Sequence, residues 1–154
     1  MRNRLTKLVL CMAIAAIGAF AADNSLGTWK LNMEKSKFTP SAPMKSLTST
    51  REAAEGGVKA TTTGELADGT PINASYTAKY DGKDSAVTGA PYDMVAIKQL
   101  NANTFTFKTK NTGNKFTATG RTVISKDGKT MTSTTKGTNA EGAATSYTMV
   151  YDKQ

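Results

Sequence analysis

Short stretches of alternating apolar and polar residues follow one another along the chain after residue 22, separated by turn-forming pairs such as Asp68-Gly69 and Asp127-Gly128. A period of two residues is typical of antiparallel strands that bury one face. The pattern predicts ten strands, at Gly27 to Asn32, Ser46 to Ala54, Val58 to Leu66, Pro71 to Tyr80, Ser85 to Thr88, Met94 to Leu100, Thr104 to Lys110, Lys115 to Ser125, Lys129 to Lys136 and Ala143 to Lys153.

The order of these strands favours an up-and-down topology. Consecutive hairpins follow one another, and no helical stretch is long enough to connect parallel strands. Closing the sheet into a barrel would remove the edges that long, Thr-rich strands otherwise expose. The predicted fold is therefore all-β, a single antiparallel barrel of about eight to ten strands.

The segment Met33 to Lys45 is the longest interval without a predicted strand. Pro40 and Pro43 argue against a regular helix through its second half. Glu34 to Phe38 has the length for one helical turn, and the segment could also cover the barrel mouth as a lid. A simple crossing loop is the favoured interpretation for a connection of this length.

The first 21 residues have the features of an export signal. Arg2, Arg4 and Lys7 precede the uncharged stretch Leu8 to Phe20, which is too short to span a bilayer as a helix. Small residues at Ala19 and Ala21 predict cleavage before Ala22, with cleavage after Ala22 as the alternative. We expect a signal peptide at residues 1–21, a barrel domain at residues 22–154, and a periplasmic or secreted protein.

The single cysteine, Cys11, lies in the predicted signal peptide. Leu10 precedes it, where lipoprotein processing requires a small residue, so no lipid and no stable membrane anchor are expected. The predicted mature domain contains no thiol. Its core and its sheet hydrogen bonds must therefore hold it together without disulfides.

Composition and charge narrow the classes of function. The chain contains no His, which excludes imidazole metal ligands and His bases. Without the three basic residues of the signal peptide, the predicted mature domain has 17 Lys and Arg and 12 Asp and Glu, which gives a net charge of plus five. The lysines are scattered rather than clustered in sequence, so no nucleic-acid partner is expected. The oligomeric state stays open.

No group of residues has the pattern of a catalytic site. Asp81 and Asp84 flank a predicted hairpin turn, where Asp is favoured for backbone reasons. Ser85 and Ser125 have no suitable base in a recognisable motif. We therefore expect neither an enzyme nor a bound cofactor or metal.

The sequence Gly27-Thr28-Trp29-Lys30-Leu31 opens the first predicted strand. It resembles the Gly-x-Trp signature of the lipocalins and fatty-acid-binding proteins, the calycin superfamily. That resemblance covers the domain in plan but only Gly27 to Leu31 in sequence. Three further stretches look like a group of small exported bacterial lipocalin-like proteins: Tyr80 to Lys83, Ser125 to Thr130 and Val150 to Lys153. The resemblance implies that Trp29 closes one barrel end against a basic side chain from a late strand, and that the interior carries a hydrophobic ligand. Gly27 and Trp29 are then closure residues, and Arg121 is the candidate partner; a surface position for Arg121 is the alternative.

The chain departs from these families at three points. It lacks the lipocalin disulfide, and Pro40 and Pro43 are incompatible with the helical lid of fatty-acid-binding proteins. The segment Tyr147 to Tyr151 includes no Arg, so capture of a carboxylate by the Arg-x-Tyr pair of those proteins is not expected.

Aromatic and sulfur-containing side chains on the inward face are the candidate lining of a ligand cavity. Many small inward residues accompany them, and this favours a cavity over a filled interior. Because only Arg121 could bring a charge inside, we expect a largely apolar, neutral or weakly polar small molecule. The alternative is a packed barrel that acts as an envelope interaction or structural module. The candidate lining residues are Tyr76, Tyr80, Phe105, Phe107, Phe116, Tyr147 and Met149.

Overall fold

A computed structural model of the protein describes residues 22–154, and the predicted signal peptide at residues 1–21 lies outside them. Ten antiparallel strands pair in the order of the chain, and β1 pairs with β10 to close the barrel. The predicted all-β, up-and-down barrel is confirmed. The strands are β1 (Gly27–Thr39), β2 (Met44–Ala54), β3 (Gly57–Leu66), β4 (Pro71–Lys79), β5 (Ser85–Thr88), β6 (Met94–Asn101), β7 (Thr104–Lys110), β8 (Thr117–Ile124), β9 (Thr130–Thr138) and β10 (Ala144–Lys153).

No helix within residues 22–154 is long and apolar enough to cross a membrane.

Side chains of Asp and Asn hold the hairpin turns. The Asp68 carboxylate accepts the N–H of Thr70 at 2.9 Å, and the Asp127 carboxylate accepts the N–H of Lys129 at 3.0 Å. In both turns a glycine with positive φ follows the aspartate, as tight hairpins require. The turn residues predicted from the sequence therefore act through local hydrogen bonds.

The prediction for residues 33–45 is wrong in its first half, because β1 continues to Thr39 and forms neither a helical turn nor a lid. The pairing with β10 shifts between Asn32 and Lys37, which marks a bulge. Ser36 Oγ donates to the Asn32 carbonyl at 2.6 Å and accepts the Val150 N–H at 2.9 Å. This hydroxyl satisfies backbone groups that the bulge leaves out of the ladder, so the strand resumes beyond it.

Residues before β1 cover the end of the barrel at which β1 begins, which we call the capped end. Asn24 donates its N–H to the Ala102 carbonyl at 3.0 Å and its side-chain amide to Asn103 at 2.7 Å. Gln99 donates to the Ala22 carbonyl at 2.9 Å. The segment 22–26 is thus fixed to the turn between β6 and β7.

The buried apolar side chains form two clusters on opposite walls. One includes Trp29, Leu31 and Tyr151, on β1 and β10, and the other includes Val58 and Phe105, on β3 and β7. A small domain usually has one contiguous core. Here the two walls are separate, and the inner positions between them carry mostly small or polar residues.

Phe105 and Phe107 provide a test of this arrangement. Both lie on β7, but Phe105 is 2% exposed whereas Phe107 is half-buried. We expect Phe105→Ala to lower the free energy of unfolding by about 3 to 5 kcal/mol, the cost of deleting a packed ring. Phe107→Ala should cost clearly less. Urea unfolding of the two variants measures the difference, and equal large losses would indicate a uniformly packed interior.

Candidate functional site

The inner surface of the barrel is the candidate site, and the strand register brings the predicted lining residues to it. Tyr76 pairs with the buried residues Ala60 and Val87. Phe107 pairs with the buried Ile97, and Tyr147 with the buried Thr135. The other predicted lining residues, which share the inward alternation of their strands or flank them, are Tyr80, Phe105, Phe116 and Met149.

Most of these inward side chains retain accessible surface. Tyr76, Phe107, Tyr147 and Met149 are all half-buried although each faces the inside of a closed barrel. Phe105 is the fully buried exception, and it packs against Tyr80 with ring centroids 5.3 Å apart. The predicted set therefore divides into a packed part near the capped end and a more accessible part.

Sequence reasoning missed a cation inside the barrel, Arg51 on β2. It pairs with Gly27 on one side and Ala60 on the other, and Tyr76 follows next to Ala60. The alanine leaves room for Arg51 and Tyr76 to approach each other across it. Strict alternation from the buried Leu47 reaches Arg51 after two steps of two residues, so the pattern of β2 contained the signal.

The Arg51 guanidinium belongs to a polar network at the capped end. Its Nε donates to Ser25 Oγ at 3.2 Å, and Ser25 Oγ donates to Asp23 Oδ1 at 2.6 Å. The Tyr80 hydroxyl donates to the other oxygen of Asp23. Burial alone would lower the pKa of Arg51, but Tyr76, Tyr80 and Asp23 together raise it above its usual value. The cation thus stays charged, with a carboxylate nearby.

Three tyrosines at different heights of the barrel favour their neutral form. Burial, followed by the hydrogen bond to Asp23, raises the pKa of Tyr80, and burial raises the pKa of Tyr92. Burial raises the pKa of Tyr151 to about 12, although Arg51 opposes the shift. Tyr92 lies between β5 and β6, where it stacks on Phe116 at 5.8 Å, and no alternation in its loop pointed to it. These phenols are hydrogen-bond donors at neutral pH.

One inward hydroxyl is buried without a partner. Thr135 lies on β9 between Gly120 and Tyr147, and its Oγ1 has no hydrogen bond to any other residue in the described part of the chain. A buried polar atom in that state costs free energy unless another group satisfies it. Thr135 therefore marks a point on the inner wall that favours a polar atom of a bound molecule or a water.

Gly27, Trp29 and Lys153 close the capped end as one unit. Trp29 is fully buried, and its indole N–H donates to the Ser25 carbonyl at 2.8 Å. The Lys153 ammonium lies 5.1 Å from the centre of the Trp29 ring. Gly27 has φ of +120°, and a Cβ there would lie 2.9 Å from Lys153 Cε. The glycine is needed for this backbone conformation, and the Lys153 side chain lies directly over it.

The cation over Trp29 is Lys153 rather than Arg121, which corrects the partner expected from the resemblance. Arg121 pairs with Thr106 and Thr134 on the outward alternation of β8, and it is exposed. The register places its neighbours Gly120 and Thr122 on the inside instead. Arg121 is therefore a surface residue, which was the alternative prediction for it.

The polar residues considered for catalysis have structural contacts. Asp81 accepts the N–H of Lys83 at 2.9 Å, and Asp84 pairs with Lys110. Ser125 Oγ donates to Asp127 at 2.6 Å. Across residues 22–154, no three His, Cys, Asp or Glu side chains are placed to hold a metal ion.

No protein-family model and no curated protein matches this chain. The closed antiparallel barrel agrees in general with a calycin-like fold.

The contact between Lys153 and Trp29 gives a second test. We expect Lys153→Gln to lower the free energy of unfolding by about 0.5 to 1 kcal/mol, the usual size of an exposed cation–π contact. Trp29 is the only tryptophan, so its fluorescence emission should change as well. Arg121→Gln is the matched control and should alter neither quantity. A change of emission with Arg121→Gln alone would contradict the assignment.

The raised pKa of Tyr151 predicts a loss of stability at alkaline pH. The folded state keeps a proton that the unfolded state releases near pH 10, so the stabilisation present below about pH 10 is lost as the pH rises towards about 12. Over that window the free energy of unfolding should fall more for the wild type than for Tyr151→Phe, by roughly 2 kcal/mol. Urea unfolding at a series of pH values measures this, and parallel curves would contradict it.

Proposed function

We propose that the protein is a non-enzymatic, exported barrel that binds a small, largely apolar molecule in its interior. The observation that carries the proposal is the half-buried state of Tyr76, Tyr147 and Met149, which face inward in a closed barrel. Side chains that filled the interior completely would bury one another. Accessible aromatic and thioether surface in that position favours an apolar ligand.

The separation of the apolar clusters supports the same proposal. Leu31 and Met131 belong to one wall, and Val95 and Ile97 belong to the other. A ligand bound between the two clusters would contact apolar side chains on both of its sides. The unpartnered hydroxyl of Thr135 adds one polar point on the wall, which suits a ligand with a single hydroxyl, carbonyl or ether group.

The inward cation does not by itself favour an acidic ligand. Arg51 is linked through Ser25 to Asp23, and Tyr76, Tyr80 and Asp23 together already raise its pKa. A carboxylate brought to Arg51 would compete with Asp23 and would meet its negative charge. Burial of an unpaired anion costs several kcal/mol. We therefore propose a neutral or weakly polar ligand.

The finer family assignment is part of the proposal. The Gly27 and Trp29 signature, the Lys153 cation from the last strand and the closed barrel support membership in the lipocalin-like group of the calycin superfamily. Export to the periplasm or the medium follows from the predicted signal peptide at residues 1–21. Mass spectrometry of protein purified from its own envelope, with extraction of any bound molecule, would identify the ligand.

Two related fluorophores test the proposal in the purified protein. N-phenylnaphthylamine is neutral and apolar, and anilinonaphthalenesulfonate carries a sulfonate on the same framework. Fluorescence titration should show that the neutral dye binds about tenfold more tightly, because Asp23 opposes an anion near Arg51. Asp23→Asn removes that opposition and should narrow the difference. Equal affinity of the two dyes for the wild type would contradict the expected polarity of the interior.

A pair of threonine variants locates the binding. Thr135→Phe places a ring on the inner wall and should reduce affinity for the neutral dye by about tenfold. Thr63→Phe is the matched control, because Thr63 lies on the exposed outer face of β3 and should keep wild-type affinity. Circular dichroism checks that both variants fold. Absence of dye binding to folded wild type would reject interior binding and favour the packed interaction module.

A further inference from the structure

An open groove of about 830 Å³ runs across the outer face of four consecutive strands, β6 to β9. Its polar lining residues on these strands belong to the outward alternation, and Phe107 and Gly120 lie at its floor. We call it the outer groove. Its basic residues are Lys98, Lys108, Arg121 and Lys136, its threonines are Thr106, Thr119, Thr132 and Thr134, and Asp81 lies at its edge.

The four cations of the outer groove form no ion pair within residues 22–154, although the backbone of Lys98 pairs with that of Asp81. Between residues 22 and 154 the ion pairs are Lys35 with Asp152, Lys45 with Glu65, and Lys110 with Asp84, and none of them involves the groove. Asp81 is the single acidic residue among the groove lining. The basic residues are scattered along the sequence, as predicted, but the strand register brings four of them together on the folded surface.

The register also arranges these cations in a staggered line. Lys98, Thr106, Arg121 and Thr134 form one row across the strands, whereas Lys108, Thr119 and Lys136 form the adjacent row. Neighbouring strands are about 4.8 Å apart and the rows about 7 Å apart. Each strand thus contributes one cation, alternately from the two rows, over a width of about 15 Å from β6 to β9. A compact anion would contact few of them, while an extended chain with repeated charges would contact all four.

The surface between the cations suits sugar hydroxyls better than bases. Threonine hydroxyls donate and accept hydrogen bonds, and four of them line the outer groove. Single-stranded nucleic acids are usually held by stacking on accessible aromatic rings. No aromatic side chain among residues 22–154 is exposed, and Phe107 at the groove floor packs into the barrel core. We propose that the outer groove binds an acidic polysaccharide, with its acidic groups on the cations and its hydroxyls on the threonines.

Polygalacturonate oligomers, which carry one carboxylate per sugar, are the probe for this proposal. Isothermal titration calorimetry of the full mature protein at low salt should show binding, and raising the salt should weaken it by screening. The double variant Arg121→Gln/Lys136→Gln should lose about tenfold in affinity, since it removes one cation from each row. Lack of binding to the wild type at low salt would overturn the proposal.

A double variant elsewhere on the barrel is the matched control. Lys30→Gln/Lys59→Gln changes the net charge by the same amount on the exposed outer faces of β1 and β3, and should keep wild-type affinity. Equal losses in the two double variants would show that net charge alone attracts the polymer. Tighter binding of oligothymidylate than of polygalacturonate would instead assign the groove to nucleic acid.

The proposals for the interior and for the outer groove can be tested independently of each other. N-phenylnaphthylamine binding should be unchanged in Arg121→Gln/Lys136→Gln, because both residues lie on the outside of the barrel. Loss of dye binding in that variant would contradict the assignment of the groove as an independent surface.

Discussion

Pairing between the first and last strands is the interaction on which the rest of this barrel depends. The predicted mature domain has no cysteine, so no covalent link holds its termini together. β1 and β10 instead pair from Trp29 with Lys153 to Thr39 with Ser146, and the bulge after Asn32 allows the ladder to continue to the far end. Closure satisfies backbone groups that two open edges would expose, and it also brings the Lys153 ammonium over Trp29. The pairing of β1 with β10 that closes the barrel therefore also places Lys153 over the Trp29 ring.

A buried polar network accounts for the capped end. Ser25 is fully buried, accepts from Arg51 and donates to Asp23, while its carbonyl receives the Trp29 indole N–H. A half-buried guanidinium on an inner face would be costly without such partners. The short segment before β1 is consequently part of the barrel structure, since it supplies the acceptors that keep Arg51 inside. The same network places the Asp23 carboxylate near the charge of Arg51.

Local signals determined most of what the sequence could predict. The strands and their turns follow from two-residue periodicity and from Asp-Gly and Asn turns, and the turn hydrogen bonds show why. The extension of β1 could not be predicted, since it depends on Ser36 reaching Val150, a contact between residues 114 positions apart. The cation that contacts Trp29 could be predicted only from the register between β1 and β10, which the sequence pattern does not contain. Strict alternation along β2 could have predicted that Arg51 faces inward. A charged residue is stable on an inner face only through contacts with distant residues, and no local pattern contains those contacts.

Alternation gives this barrel two chemically different surfaces from the same strands. On β8, Ala118, Gly120 and Thr122 face inward while Thr119 and Arg121 face outward. Gly120 leaves the Phe107 ring room on the inside, because a Cβ there would lie 2.4 Å from that ring. Neutral residues in place of the outward cations would remove the charge of the outer groove and leave the inward side chains in place. A shift of one residue in the pairing of β8 would exchange the two sets and destroy both surfaces together. The registers of β6 to β9 are thus structural features that both proposed binding surfaces share.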